Sequence, residues 1–148
     1  MLSDYTVKII GKEDVLPIRR LVLRNGQPFP PCVFPGDELA TSFHLGGFQS
    51  GRLICIGSFF QRSNEKLRGL RQYQLRGMAT LKEFQGNRAG SILIREAERI
   101  IKERGADLWW CNARVSAAGY YEKLGLEALD EVFMIEGVGP HKVMYREL

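Results

Sequence analysis

Apolar positions recur along this chain with two different periods, and the changes from one to the other predict its elements. Tyr5 to Ile10 has the make-up of a short strand. Beyond Gly11, Val15, Ile18, Leu21 and Val22 fall at three- and four-residue spacing, which predicts a helix with Pro17 in its first turn. Asn25 to Asp37 holds Pro28, Pro30, Pro31, Pro35 and two glycines, too many breakers for regular structure, yet it also carries Phe29, Cys32 and Phe34. It reads as a loop with apolar side chains to bury, either as a binding element or as a cover for the core.

The stretch FHLGGFQSGRLICIGSFF reads as two strands joined at Gln49-Ser50-Gly51, a hairpin. A polar connection, Ser63 to Arg71, leads to a further strand, Tyr73 to Thr80, in which Gly77 signals a bulge or a close backbone approach. From Gly90 to Arg104 the apolar set Leu93, Ala97, Ile100 and Ile101 keeps helical spacing against a charged opposite face, and Gly105 stops the helix. Leu108 to Cys111 is a continuous apolar run, as for a central parallel strand covered on both faces. Ser116 is a good N-cap for a short helix ending at Leu124-Gly125, and Leu126 to Ile135 and Lys142 to Tyr145 supply two closing strands. There is no internal repeat. The order of elements predicts a mixed α/β sheet.

Composition narrows this picture to one domain. At 148 residues and 45% apolar, residues 1–148 suffice for a single substantial core and no second domain is expected. No apolar run approaches the roughly 18 residues needed to cross a bilayer. The N-terminal MLSDYTVKIIGKED lacks the pattern of a secretory signal, so the cytoplasm is the expected location. Cys32, Cys55 and Cys111 include no CxxC pair, which argues against a disulfide framework and against a zinc site, and no metal is expected. The formal net charge of +4 favours an anionic partner, but the arginines are scattered rather than gathered in a stripe with interleaved aromatics. That distribution suits a phosphate-bearing small molecule better than nucleic acid.

The chemistry concentrates in Glu83-Phe84-Gln85-Gly86-Asn87-Arg88-Ala89-Gly90-Ser91, between the Gly77 strand and the amphipathic helix. A glycine-containing turn running into a helix offers unpaired N–H groups and the positive end of the helix dipole, which together suit a pyrophosphate. Neither GxxxxGK[ST] nor GxGxxG is present, which removes nucleotide hydrolases and dinucleotide dehydrogenases.

Leu75-Arg76-Gly77-Met78-Ala79-Thr80, followed by Glu83-Phe84-Gln85-Gly86 and Gly90, resembles the acetyl-CoA motif of the GCN5-related N-acetyltransferases (GNAT), Gln/Arg-x-x-Gly-x-Gly/Ala. Gln85 and Gly90 match the outer positions, while Arg88 stands where the middle glycine is usual. Downstream, Ala117 and Tyr120-Tyr121-Glu122-Lys123-Leu124-Gly125-Leu126 is similar to that family's Ala-x-x-Phe-Tyr-Glu-Lys-Leu-Gly-Phe helix. The resemblance implies a mixed, mostly antiparallel sheet of six or seven strands flanked by helices, the acyl-CoA N-acyltransferase fold. It implies transfer of an acetyl group from acetyl-CoA to a small-molecule or peptide amine by direct attack in a ternary complex. Dimers are common among members of that family.

The same resemblance implies that Met78, Ala79 and Thr80 meet the thioester and pantetheine through main chain, and that Gln85, Gly86, Asn87, Arg88, Ala89, Gly90 and Ser91 hold the pyrophosphate, with Asn112 carried over as a further contact. Arg88 would point outward or add a cationic contact to phosphate, or else weaken CoA binding. Tyr120 and Tyr121 lie about 100° apart on a helix, so only one can face the departing sulfur. The motif selects Tyr121 as general acid and leaves Tyr120 to the core. His44, His141 and Asp37 are candidate general bases, with a water-relayed route also open and His141 ahead because the final hairpin of this fold faces the acceptor. The competing readings are a non-catalytic acyl-CoA-responsive binding module and a nucleic-acid-binding domain.

Overall fold

In the computed structural model, residues 2–26 and 32–148 are described. Pro28, Phe29, Pro30 and Pro31, part of the breaker-rich loop, lie outside them. The strands are β1 (Tyr5–Ile10), β2 (Phe43–Gln49), β3 (Arg52–Gln61), β4 (Gln72–Thr80), β5 (Leu108–Arg114), β6 (Glu127–Ile135) and β7 (Gly139–Glu147). They form one seven-stranded sheet in the order β1-β2-β3-β4-β5-β7-β6. Every neighbouring pair is antiparallel except β4 and β5. The mixed, mostly antiparallel sheet expected from the sequence is therefore present with seven strands.

Ser50 and Gly51 both take positive φ, 51° and 82°, the geometry of a two-residue turn whose twist matches the flanking strands β2 and β3. β3 is buried at every residue from Ile54 to Phe60, so both faces of the sheet are covered there. One cover is α2 (Ala89–Glu103), whose Leu93, Ile94, Ala97 and Ile101 are fully buried. Each large aliphatic side chain on that face contributes about 1.5–3 kcal/mol of transfer free energy. Trp109 on β5 is also fully buried, and its Nε1 donates to Glu98 Oε2 at 2.9 Å, which supplies a polar partner for a carboxylate on the helix's inner face. A short helix, α3 (Ala118–Lys123), packs against β5, β6 and β7.

Two expectations, one from periodicity and one from capping preference, are corrected. The helix after Gly11 has only one α-helical turn, α1 (Leu16–Ile18), and continues as a π-helical segment, Arg19–Leu23. The wider turn rotates Arg19 into the interior, 1% exposed, and leaves Leu21 59% exposed, so the apolar 3.6-residue repeat does not describe the buried face. Ser116 caps no helix. It lies within a 3-10 turn, Val115–Ala117, and α3 begins after it with no side-chain cap.

Candidate active site at the opening between β4 and β5

The parallel pairing of β4 with β5 lasts only three residues, from Gln72 opposite Leu108 to Gln74 opposite Trp110. Beyond it the two strands separate, and β4 keeps its antiparallel partner β3 alone. The register between β3 and β4 shifts between Ile56 and Ser58, opposite Gly77, whose φ is +66°. A side chain at Gly77 would place its Cβ 2.9 Å from Phe34 Cε2 and 3.2 Å from Arg19 Nε, so backbone conformation and space both call for glycine. The bulge anticipated at Gly77 thus lies where β4 has already left β5 and pairs with β3 alone.

Two clefts open at this separation, of about 860 Å³ and 650 Å³, sharing Val22, Met78 and Ala117. The larger runs along the turn between β4 and α2. Met78, Ala79, Thr80, Gln85, Gly86, Arg88, Ala89, Gly90 and Ser91 all line it. Among the described residues, none of the N–H groups from Gly86 to Ser91 reaches a protein acceptor, and the helix has no side-chain N-cap. Six consecutive donors at the positive end of a four-turn helix form a cradle for an anion. The cradle is held to the sheet at both ends. Gln85 Nε2 donates to the Thr80 carbonyl at 3.0 Å, and the Tyr5 hydroxyl donates to the Ala89 carbonyl at 2.9 Å.

At Gly90 any side chain would have to push two flexible side-chain ends aside into the cleft. A Cβ at that position would lie 2.7 Å from Met78 Cε and 2.8 Å from the Tyr120 hydroxyl oxygen. Arg88, at the position where the motif usually has a second glycine, has φ +68° and is exposed, so its side chain leaves the backbone cradle open while its cation stays at the cleft rim. Asn87 does not line the cleft; its side-chain amide donates to the Phe84 carbonyl at 3.4 Å and braces the turn. Tyr120, assigned from the sequence to the core, is 43% exposed and lines this cleft with Ala117 and Leu124. Their three- and four-residue spacing, Ala117, Tyr120, Leu124, was the available signal for that helix face.

The smaller cleft lies on the other side of the opening. Tyr121 and Asn112 line it, so Asn112 stands on the side away from the anion cradle. Tyr120 and Tyr121 meet edge to face, with ring centroids 5.2 Å apart, and place one hydroxyl-bearing ring in each cleft. Burial, with smaller contributions from Cys111 and Tyr120, pushes the Tyr121 phenol well above its ordinary range, so it stays protonated. Burial likewise pushes the Cys111 thiol up to about 12, which leaves the one cysteine in this cleft a poor nucleophile.

His141 lines the same cleft, and its Nδ1 lies 2.8 Å from the Gly139 carbonyl. A carbonyl only accepts, so Nδ1 carries the hydrogen and Nε2 keeps the lone pair of the neutral ring. His44 lines neither cleft. Both of its nitrogens are engaged inside the protein, Nδ1 with Ser58 Oγ at 2.7 Å and Nε2 with the Asp37 carbonyl at 3.1 Å. Asp37 is buried in an ion pair with Arg19. Burial alone would raise its pKa, but hydrogen bonds from Arg19 and the Phe34 N–H, together with the arginine's charge, hold the carboxyl below its ordinary range. The structure therefore separates His44 and Asp37 from the opening and leaves His141 as the base candidate in the same cleft as Tyr121.

The profile of the Acetyltransferase (GNAT) family matches residues 23–126. A Bacillus subtilis (strain 168) protein described as an uncharacterized N-acetyltransferase, YitI, is 46% identical over 142 residues, 96% of this chain and 95% of its own. Among solved structures, Escherichia coli ElaA superposes with a TM-score of 0.76 at 16% identity, covering 97% of this chain and 99% of that one. An aminoglycoside 6'-N-acetyltransferase complexed with coenzyme A superposes with a TM-score of 0.75 at 12% identity, covering 96% of each chain. At these identities the two structures show a shared fold.

Proposed function

Because this chain belongs to the GNAT family of acetyltransferases, and is an acyl-CoA-dependent N-acetyltransferase acting on an amine, we propose that its donor is acetyl-CoA and that transfer is direct, within a ternary complex. The observation that carries this reading is the separation of β4 from β5 after Gln74 and Trp110, which joins an anion cradle on one side to Tyr121 and His141 on the other. The donor groups fit CoA: the free N–H groups of Gly86 to Ser91 suit its pyrophosphate, and Gly90 leaves room that a side chain would fill.

Acetyl-CoA supplies a thioester carbonyl and a thiol leaving group. On β4, the main chain from Met78 to Thr80 has no β5 partner, so its outward N–H groups are free to meet the carbonyl oxygen as negative charge develops there. His141 Nε2 takes the proton that the acceptor nitrogen sheds as the C–N bond forms. Tyr121 gives its phenolic proton to the sulfur as the C–S bond breaks, and solvent restores both groups. Burial keeps the phenol in the protonated form that a donor needs, and a well-placed proton transfer is worth roughly 10²–10⁴-fold. Cys111, protonated and buried, is no candidate for an acyl-enzyme, which favours direct attack.

The reading takes residues 1–148 as one catalytic domain, supported by the membership of β1 and β7, both outside the family match, in the same sheet as the site. A cytoplasmic location is also proposed, supported by three free cysteines; no helix among the described residues is long and apolar enough to cross a membrane. Initial rates with acetyl-CoA and a primary amine varied together, read by release of free thiol, test the mechanism. Intersecting double-reciprocal lines are expected, and parallel lines would sink direct transfer.

A further inference from the structure

Among the described residues, the acceptor-side cleft is lined by three arginines, Arg24, Arg76 and Arg114, and by no aspartate or glutamate. Among the described residues none of the three forms an ion pair or a side-chain hydrogen bond. Arg24 Nε is buried with no hydrogen-bond partner. Arg76 lays its guanidinium over the Phe34 ring, 4.6 Å from the centroid, which orients its face while leaving its edge donors unspent. The nearby carboxylate, Asp37, is already held by Arg19 through both oxygens. Glu136, between the lining residues Ile135 and Val138, is exposed and does not line the cleft. Segment 27–31 contains no acidic residue.

A half-buried guanidinium group without a counter-charge is costly, and its fork of donors matches an oxyanion with two acceptor oxygens. Resting on the acetyl-transfer reading above, we propose that the acceptor is a small amine that also carries an oxyanion, a carboxylate or a phosphate, bound by Arg24, Arg76 and Arg114. The oxyanion then anchors the molecule in the cleft of about 650 Å³ while its amine reaches toward His141 and Tyr121. The same positive field disfavours a second ammonium group on the acceptor, and it helps the reacting amine to stay neutral. Burial, then the charges of Arg62 and Arg19, presses the Arg76 pKa downward, and the Asp37 charge offsets this only in part.

The test compares amines of one carbon skeleton: amino carboxylates, aminoalkyl phosphates, the matched uncharged amino amides, and diamines. Carboxylates or phosphates should exceed the amides in kcat/KM by roughly ten-fold or more, with diamines the poorest, and whichever of the two leads identifies the oxyanion. Arg76→Met should bring the anionic and uncharged acceptors to similar kcat/KM, mainly through KM, with the CoA-induced rise in Tm as the folding control. Arg114→Met, at an exposed position, should narrow the same ratio and serves where Arg76→Met does not fold. Equal or faster turnover of amides or diamines overturns the assignment while leaving acetyl transfer intact. Absence of turnover with every anionic amine, CoA binding being retained, overturns it too. Absence of CoA binding by the unmodified protein would instead refute the reading on which it rests.

Discussion

Arg19 and Asp37 form a buried two-point ion pair, Nη1 to Oδ2 at 2.7 Å and Nη2 to Oδ1 at 2.9 Å. The same guanidinium donates to the Cys32 carbonyl and to Ser58 Oγ and covers the Phe34 ring, 3.8 Å from its centroid. One side chain from the π-helical segment thereby ties the proline-rich loop to β3 beside the Gly77 bulge.

Asp37→Asn would leave that arginine buried against a neutral amide, and a loss of about 3–5 kcal/mol in unfolding free energy is expected by denaturant titration. The pH dependence follows from the direction of the shift. A carboxyl whose folded pKa is depressed contributes stability above its unfolded pKa, about 3.9, and loses it as pH falls through the lower folded value. The unmodified protein should therefore lose stability below about pH 4 more steeply than Asp37→Asn.

If Tyr121 gives its proton to the sulfur as proposed, Tyr121→Phe removes that proton and little else, because the ring remains to pack against Tyr120. Turnover should fall by roughly 10²–10⁴-fold while CoA affinity, read by calorimetry, is unchanged. Since burial raises the Tyr121 pKa, the alkaline side of the unmodified enzyme's profile should show no loss from its ionisation through pH 9 or so. Retention of full turnover in the phenylalanine variant would remove Tyr121 from the mechanism.

Gly90→Ala separates stability from binding. Alanine is the better helix former by up to about 1 kcal/mol, and the atoms it would crowd are the mobile ends of Met78 and Tyr120. Both lie in the donor cleft, so they should yield into it. The expected outcome is an equal or higher Tm with CoA affinity weakened by roughly ten-fold.

Arg88→Gly tests the departure from the usual motif. A non-glycine residue in the left-handed conformation costs about 1–2 kcal/mol, so glycine at φ +68° should raise thermal stability. Loss of the cation at the rim should weaken CoA binding only modestly and flatten its dependence on ionic strength. An unaltered salt dependence would show that Arg88 makes no contact with phosphate.

Local pattern was enough for much of the frame. The β2–β3 hairpin follows from β-formers on either side of Ser50-Gly51, and α2 from an apolar stripe that ends at Gly105. The cradle was legible because its donors are backbone groups whose availability depends on where a helix begins, a property of neighbouring residues. Arg19 was not legible: its role depends on a π turn that changes which face points inward, and on partners 18 and 39 residues away. Ser116 was misread because a 3-10 turn intervenes where a cap would otherwise act.

The sequence by itself determined the element order, the mixed α/β class and the glycine-containing turn before α2, and by motif it put Tyr121 forward over its neighbour. Each is a local periodicity or a short ordered pattern. Only the tertiary structure decided which titratable groups share a cleft. It engaged both nitrogens of His44 and paired Asp37 away from the opening, brought His141 to it from the last strand, and placed Asn112 in the smaller cleft. It also gathered Arg24, Arg76 and Arg114 around one cleft. The physical reason is the brief β4–β5 pairing: where two strands separate after three residues, the side chains that meet come from distant elements, and no local period records their meeting.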